Sequence, residues 1–373
     1  MDRKLWRNFD FILLAAVAAL FAFGLVAVYS ATRGFTPASP FHFVTRQSIA
    51  ALIGLTGLLF VLRIDYRHLV KLGWLAYAGT LLLLVAVLLV GRIEGGAGRW
   101  LGVGGFSVQP SEFAKISLIL VLAGVLDDRD EARSWRGVIK ALLCMAPPVG
   151  LVLLQPDLGT ALTLAGITVG MMFFAGVRLT HLAAVVGAGA AAVVGVVVAS
   201  LQGWVTILKP YQINRLIVFL DPYRYRHDEG WNVIQSMIAI GSGSFFGKGL
   251  FGGSQTQLNF LPARHTDFIF SVIGEEFGFL GGLIVLSLFS VVFWRGGRIL
   301  LAAKDRAGSL LVAGTLSYLF VHVLINVGMT LGVMPVTGLP LPLISYGGTS
   351  VMATLIHIGL VLNVGLRRQK IQF

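Results

Sequence analysis

The sequence predicts an all-α, polytopic integral membrane protein of about ten transmembrane helices, and three observations predict it. Of the 373 residues, 56% are hydrophobic and 12% are charged, about half the charged share of a soluble domain. Apolar runs long enough, or nearly long enough, to cross a bilayer recur through the chain. Lysine and arginine are distributed between the connecting segments as membrane topology requires.

The runs occupy residues 11–31, 45–62, 72–91, 112–126, 138–154, 157–177, 180–201, 268–294, 308–331 and 343–365. A span takes about 20 residues, so the fourth and fifth runs are marginal by length. The first, from Phe11 to Ala31, exceeds the roughly 7–15-residue apolar core of a cleavable signal peptide and reads as a retained helix. Ten spans place both termini on one side. With the N-terminus inside, the inner segments hold Arg3, Lys4, Arg7, Arg63, Arg67, Lys71, Arg129, Arg133, Arg136, Lys140, Arg178, Arg295, Arg298, Lys304, Arg306, Arg367, Arg368 and Lys370, which is 18 of the 29. The short outer segments hold Arg33, Arg46, Arg92, Arg99 and Lys115, and the rest lie in a 202–266 loop too long for the rule to govern. Both termini are therefore expected in the cytoplasm, with the large loop between the seventh and eighth helices outside, and residues 1–373 read as one transmembrane domain. Within the loop, Pro210 to Leu220 and Trp231 to Ile240 each predict a short helix in the outer interface.

The net charge of +12 is explained by this topology and not by a nucleic-acid partner. The single cysteine, Cys144, excludes an internal disulfide and argues against a cysteine-based metal site.

The fourth, sixth, eighth and tenth runs enter from outside, and each begins with a polar motif. These are Gln109-Pro110-Ser111-Glu112 with Lys115 one turn deeper, Gln155-Pro156-Asp157-Leu158-Gly159-Thr160, Pro262-Ala263-Arg264-His265-Thr266-Asp267, and Leu343-Ile344-Ser345-Tyr346-Gly347-Gly348-Thr349-Ser350. A carboxylate at a helix N-terminus is stabilised by the dipole, so Asp157 reads as a cap or as a functional acid. Glu112 and Lys115 are spaced to neutralise one another, and Arg46 and Arg99 read as headgroup anchors or as ligands. Glu275 and Glu276, inside the eighth run, read as buried and paired. Asp267 stands apart, because Arg264 and His265 precede it where a polar loop meets lipid, and ionisable groups there point to chemistry or transport. Acids together with Arg46, Arg99, Lys115, Arg215, Lys248 and Arg264 at one membrane face suit an anionic lipid headgroup: cations hold phosphates and an acid takes a proton. An ion transporter would place its charges nearer the midplane.

At these motifs the chain resembles the SEDS family (shape, elongation, division and sporulation) of polytopic peptidoglycan glycosyltransferases. The matching elements also include Arg99-Trp100, Ile234-Gln235-Ser236, Gly241-Ser242-Gly243, Lys248-Gly249, Glu275-Glu276, Asn326-Val327-Gly328-Met329 and Pro340-Leu341-Pro342, in the family's order. The segments at 155–160, 262–267 and 338–342 look more like the elongation branch (RodA-like) than the division branch (FtsW-like).

The resemblance implies polymerisation of lipid II into β-1,4-linked glycan at the outer face of the bacterial cytoplasmic membrane, with release of undecaprenyl pyrophosphate. It implies Asp267 as catalytic base and Arg46, Arg99 and Lys115 as residues that grip pyrophosphate, beside which Lys248, Arg264 and His265 stand as further candidates to hold substrate. Asp157, Glu112, Glu275 and Ser345 become supporting residues. A divalent cation, Mg or Mn, is compatible with this chemistry, although no pattern fixes a metal cage, and no organic cofactor is implied. A class B penicillin-binding protein and other elongation-complex membrane proteins are the expected partners. A lipid II flippase and a non-catalytic scaffold are the competing readings.

Overall fold

The computed structural model describes residues 8–34, 40–94, 97–103, 106–202, 215, 217–226 and 230–368. In chain order these form α1 (Phe11–Thr32), α2 (His42–Arg63), the short α3 (Tyr66–Lys71), α4 (Gly73–Val90), strands β1 (Arg92–Glu94), β2 (Ala97–Val103) and β3 (Phe106–Val108), then α5 (Pro110–Val125) and the short α6 (Arg129–Arg133). There follow α7 (Trp135–Leu154), α8 (Leu158–Phe174), α9 (Leu179–Leu201), the loop helices α10 (Gly230–Ser242) and α11 (Ser254–Gln257), and then α12 (Ile269–Leu301), α13 (Arg306–Thr330) and α14 (Gly348–Leu366).

Among the described residues, eight helices are long and apolar enough to cross a membrane. The ten runs are completed by α8, of 17 residues, and α5, of 16, which gives up hydropathy by carrying Glu112 and Lys115. The protein is a polytopic membrane protein. Helices α13 and α14 are enclosed by the others, whereas α9 presents its whole span outward. The last run begins its helix later than its hydropathy predicts, at Gly348, because residues 343–347 form a turn that serves the site described below.

Packing is held by directional bonds where lipid offers none. Asn363 on α14 donates from Nδ2 to Val61 O (2.5 Å) and Ile64 O (2.7 Å), fixing α14 on the end of α2. The end of the bundle that carries most of the basic residues is tied by Arg295–Asp10 (2.6 Å), Arg67–Asp305 (2.7 Å) and Arg367–Asp65 (3.4 Å). Several arginines that predict the inner side therefore also join α1 to α12 and α3 to α13.

Helix α12 breaks at Gly278, whose φ of 64° is open to glycine and strained for other residues. Backbone groups freed by the break are satisfied by the preceding loop. Lys248 N and Gly249 N donate to Glu275 O and Glu276 O (both 3.0 Å), while Phe279 N and Leu280 N donate to Ser244 O (2.9 Å) and Phe245 O (3.1 Å). The loop helix expected at Trp231 to Ile240 is α10, and it packs on the bundle: Ser236 Oγ meets Ser271 Oγ (2.6 Å) and Thr330 O (2.7 Å). The helix expected at Pro210 to Leu220 lies largely outside the described residues.

One feature departs from an all-helical chain. Strands β1, β2 and β3 form an antiparallel sheet in that order, with Arg92 opposite Trp100 and Leu101 opposite Val108. The strands are too short for their alternation to register as a pattern, and the sequence reads there simply as an outer loop.

Candidate functional site

The four polar motifs converge. A cavity of about 410 Å³ is lined by Gln109 and Glu112 at the start of α5, Asp157 and Thr160 at α8, His265, Thr266 and Asp267 before α12, and Tyr346, Gly347, Gly348 and Ser350 at α14. The small sheet adds Arg99, Trp100 and Ser107, α2 adds Arg46 and Ala50, and a turn after α13 adds Gly338, Leu339 and Pro340.

The segment bearing Asp267 is fixed through its backbone. Three successive carbonyls are each held from outside it: His265 O by Tyr346 N (2.8 Å), Thr266 O by Ser345 Oγ (2.6 Å) and Asp267 O by Asn326 Nδ2 (2.8 Å). The 345–347 turn is itself tied to α2, since Gln47 donates to Ser345 O (2.8 Å) and accepts from Gly347 N (3.0 Å). The carboxylate is thereby left to face the cavity, where it is half-buried. Burial pushes its pKa up to about 6, against the opposing influence of Arg215, a bond from Thr266 and Arg99, and with a further push from Asp157. Arg215 and Arg99 are the cations whose charge acts on Asp267. His265 is held down to about 4 by burial and by Arg264, so at neutral pH it offers a neutral imidazole to the cavity.

Asp157 is both a cap and part of the wall. Its Oδ1 accepts from Thr160 N (3.0 Å), and its Oδ2 accepts from Thr160 Oγ1 (2.9 Å) and Gln109 Nε2 (3.4 Å). Arg99 stands 3.6 Å away while also bonding Gln155 O (2.9 Å) and Pro156 O, so its guanidinium chiefly braces this turn. Arg46 differs. It is exposed, makes no hydrogen bond or ion pair among the described residues, and borders both the main cavity and an adjoining one of about 390 Å³ lined by Pro40, Phe41, His42 and Thr45.

Three residues expected to hold substrate lie elsewhere. Lys115 is fully buried behind Glu112, 2.6 Å from its Oε1, because an ammonium in the apolar bundle takes the nearest carboxylate. Lys248 pairs with Glu275 (2.9 Å), which also accepts from Gln255 N, Thr256 N and Thr256 Oγ1; this cluster pins the outer loop to α12 and does not line the cavity. Arg264 is buried and turns away, donating from Nε to Ala31 O (2.7 Å). Glu275 and Glu276 are both buried, but only Glu275 is ion-paired among the described residues; Glu276 accepts from Ser30 Oγ (2.7 Å). Of the supporting residues, Ser345 acts through the Thr266 carbonyl.

Among the described residues no three carboxylate, imidazole or thiol side chains converge as a metal cage. Of the three carboxylates lining the cavity, Asp157 has both oxygens engaged and Glu112 is bound to Lys115, so Asp267 is the one best able to hold a cation. The sequence reading missed Gly338, Leu339, Asn326 and Gln47 as site residues. Gly338, Leu339 and Asn326 lie in segments that the sequence marks only as points of resemblance, and Gln47 lies in none; their roles rest on contacts between segments far apart in the chain.

The cell cycle protein family FtsW/RodA/SpoVE matches residues 11–370. The chain is 37% identical to stage V sporulation protein E of Bacillus subtilis over 95% of this chain and 96% of that protein. It is 39% identical to a probable peptidoglycan glycosyltransferase FtsW of Trichlorobacter lovleyi, covering 96% and 93%, and 36% identical to the peptidoglycan glycosyltransferase RodA of Treponema pallidum, covering 97% and 98%. Among solved structures, a chain of a peptidoglycan synthase complex that coordinates polymerization and crosslinking is 37% identical, with TM-score 0.80, 97% of this chain covered and 99% of that one. The rod shape determining protein RodA of Thermus thermophilus is 35% identical with TM-score 0.71, covering 97% and 98%. The chain belongs to the FtsW/RodA/SpoVE family, the SEDS proteins that its motifs resemble.

Proposed function

We propose that this protein is a peptidoglycan glycosyltransferase that polymerises lipid II, the disaccharide-peptide carried on undecaprenyl pyrophosphate, at the outer face of the cytoplasmic membrane. The observation that carries this reading is one cavity shared by Asp267, a carboxylate raised to about 6, and Arg46, an exposed cation with no partner among the described residues. A base poised near the working pH and a positive charge for the leaving group are what glycosyl transfer to a hydroxyl from a pyrophosphate requires.

In this reading Asp267 takes the proton of the acceptor's GlcNAc 4-hydroxyl. The freed oxygen bonds to the anomeric carbon of the donor's MurNAc from the face opposite the pyrophosphate. The bond to undecaprenyl pyrophosphate breaks as the new one forms, its electron pair leaving with the phosphate, and inversion gives the β-1,4 linkage. Arg46 holds the pyrophosphate as its charge grows, and neutral His265 and Gln109 orient polar groups of the sugars. Were a divalent cation to bind, Asp267 would be the residue to hold it, and the ion would supply neutralisation of phosphate charge. The outward orientation is supported by the lysine and arginine distribution, and the elongation role by the motifs at 155–160, 262–267 and 338–342. The relationship to a chain from a peptidoglycan synthase complex supports a class B penicillin-binding protein as partner.

The test is polymerisation of labelled lipid II in detergent, where no compartments exist to flip between, with the purified partner supplied. Glycan strands that vanish for Asp267→Ala, with the fold intact, support the proposal. Absence of polymer from the wild type with an active partner would reject it in favour of transport or scaffolding. The class B protein that co-purifies tests the elongation role.

A further inference from the structure

His322 has no role in the reaction as described, yet it stands between the buried ion pair and the turn that faces Asp267. It is fully buried on α13, one helical turn before Asn326 and on the same face. Its Nε2 lies 3.2 Å from Lys115 Nζ and its Nδ1 lies 3.1 Å from Pro340 O. An ammonium has only hydrogens to offer, so Nε2 accepts; Nδ1 therefore carries the proton of a neutral ring and donates it to Pro340 O. The ring is held in place by Tyr318, edge-on at 4.7 Å.

Both ends of this chain of bonds reach the cavity. At one end Lys115 is bound at 2.6 Å by Glu112, which lines the cavity. At the other, Pro340 belongs to the turn in which a Cβ on Gly338 would come within 3.4 Å of Asp267 Oδ2. Asn326 provides a parallel tie, binding Leu339 O and Asp267 O together (both 2.8 Å).

We propose that His322 is a positioning residue for glycosyl transfer: it couples the Glu112–Lys115 pair to the 338–340 turn and so sets the wall against which Asp267 meets its substrate. This rests on the polymerase reading given above. The ring contributes by being a rigid body with an acceptor at one end and a donor at the other, which an apolar residue of similar volume cannot be.

The experiment compares wild type, His322→Leu, His322→Asn and His322→Gln in lipid II polymerisation with the partner present, recording kcat, KM and thermal stability. His322→Leu, and His322→Asn, which is polar but too short to span both partners, are expected to lose at least about tenfold in kcat with KM little changed, because wall displacement affects the reacting geometry more than headgroup binding. His322→Gln, whose amide offers the same acceptor and donor, is expected to recover most of that loss. If the Leu variant does not fold, the Asn and Gln pair decides. Folded Asn and Gln variants with equal kcat overturn the proposal, as does a loss confined to folded yield or to KM. A wild-type protein that makes no polymer rejects the polymerase reading itself, whereas active wild type with unaffected His322 variants rejects only this inference.

Discussion

Asn326 and Asp267, separated by the whole of α12 and most of α13, are joined by a hydrogen bond: Asn326 Nδ2 donates to the Asp267 carbonyl at 2.8 Å. The same amide binds Leu339 O at 2.8 Å, so one side chain holds both the base-bearing segment and the turn opposite it. Asn326→Ala would leave two carbonyls without this donor in a buried site, at a cost of about 1–3 kcal/mol. The expected outcome is a lower thermal midpoint together with a fall in kcat greater than any rise in KM, read by thermal unfolding and lipid II turnover.

The pH dependence follows from Asp267. Its carboxyl is raised from 3.8 to about 6 by burial, against Arg215, Thr266 and Arg99, with Asp157 adding to the rise. As the base it must be ionised, so turnover at subsaturating lipid II is expected to fall about tenfold per pH unit below about 6. For stability the sign is reversed. The folded state keeps this proton longer than the unfolded state, so the residue's contribution is fully present below about 4 and is lost as pH rises through about 6. Asp267→Asn is therefore expected to abolish polymerisation while raising the thermal midpoint at pH 7 to 8, with little change near pH 4. An unchanged midpoint at both pH values would contradict the raised pKa.

Arg46 and Arg99 should separate cleanly. Arg46→Ala is expected to raise KM for lipid II severalfold without lowering the thermal midpoint, because its side chain is exposed and bonds nothing else among the described residues. Arg99→Ala removes bonds to Gln155 O and Pro156 O, so stability is expected to fall along with activity. Side-by-side kinetics and melting curves check both.

Gly338 is expected to tolerate no side chain. Its φ of 76° strains any L residue by about 1–2 kcal/mol, and a Cβ there would approach Asp267 Oδ2 to 3.4 Å. Gly338→Ala should lower both stability and kcat, whereas Gly→Ala at the open Gly187 of α9 should lower neither.

The Lys248–Glu275 bond lies outside the cavity, so Lys248→Met is expected to lower the thermal midpoint while leaving KM for lipid II unchanged. A specific rise in KM would return Lys248 to substrate binding.

The sequence by itself determined the ten spans and the motifs at their outer ends. Hydropathy over a span is a local quantity that lipid reads directly, and ionisable residues at a lipid boundary are rare enough to stand out, as Asp157 and Asp267 do. Only the tertiary structure decided which of the nearby cations face the cavity. Lys115, Lys248 and Arg264 carry the same charge in the sequence as Arg46, yet each is turned to a buried partner, Glu112, Glu275 and the Ala31 carbonyl respectively. It also decided that Asn326, His322 and Gly338 frame Asp267, since a contact between residues dozens of positions apart leaves no periodicity along the chain. A side chain's chemistry is fixed by its identity, but its partner is fixed by where the backbone of another segment happens to pass.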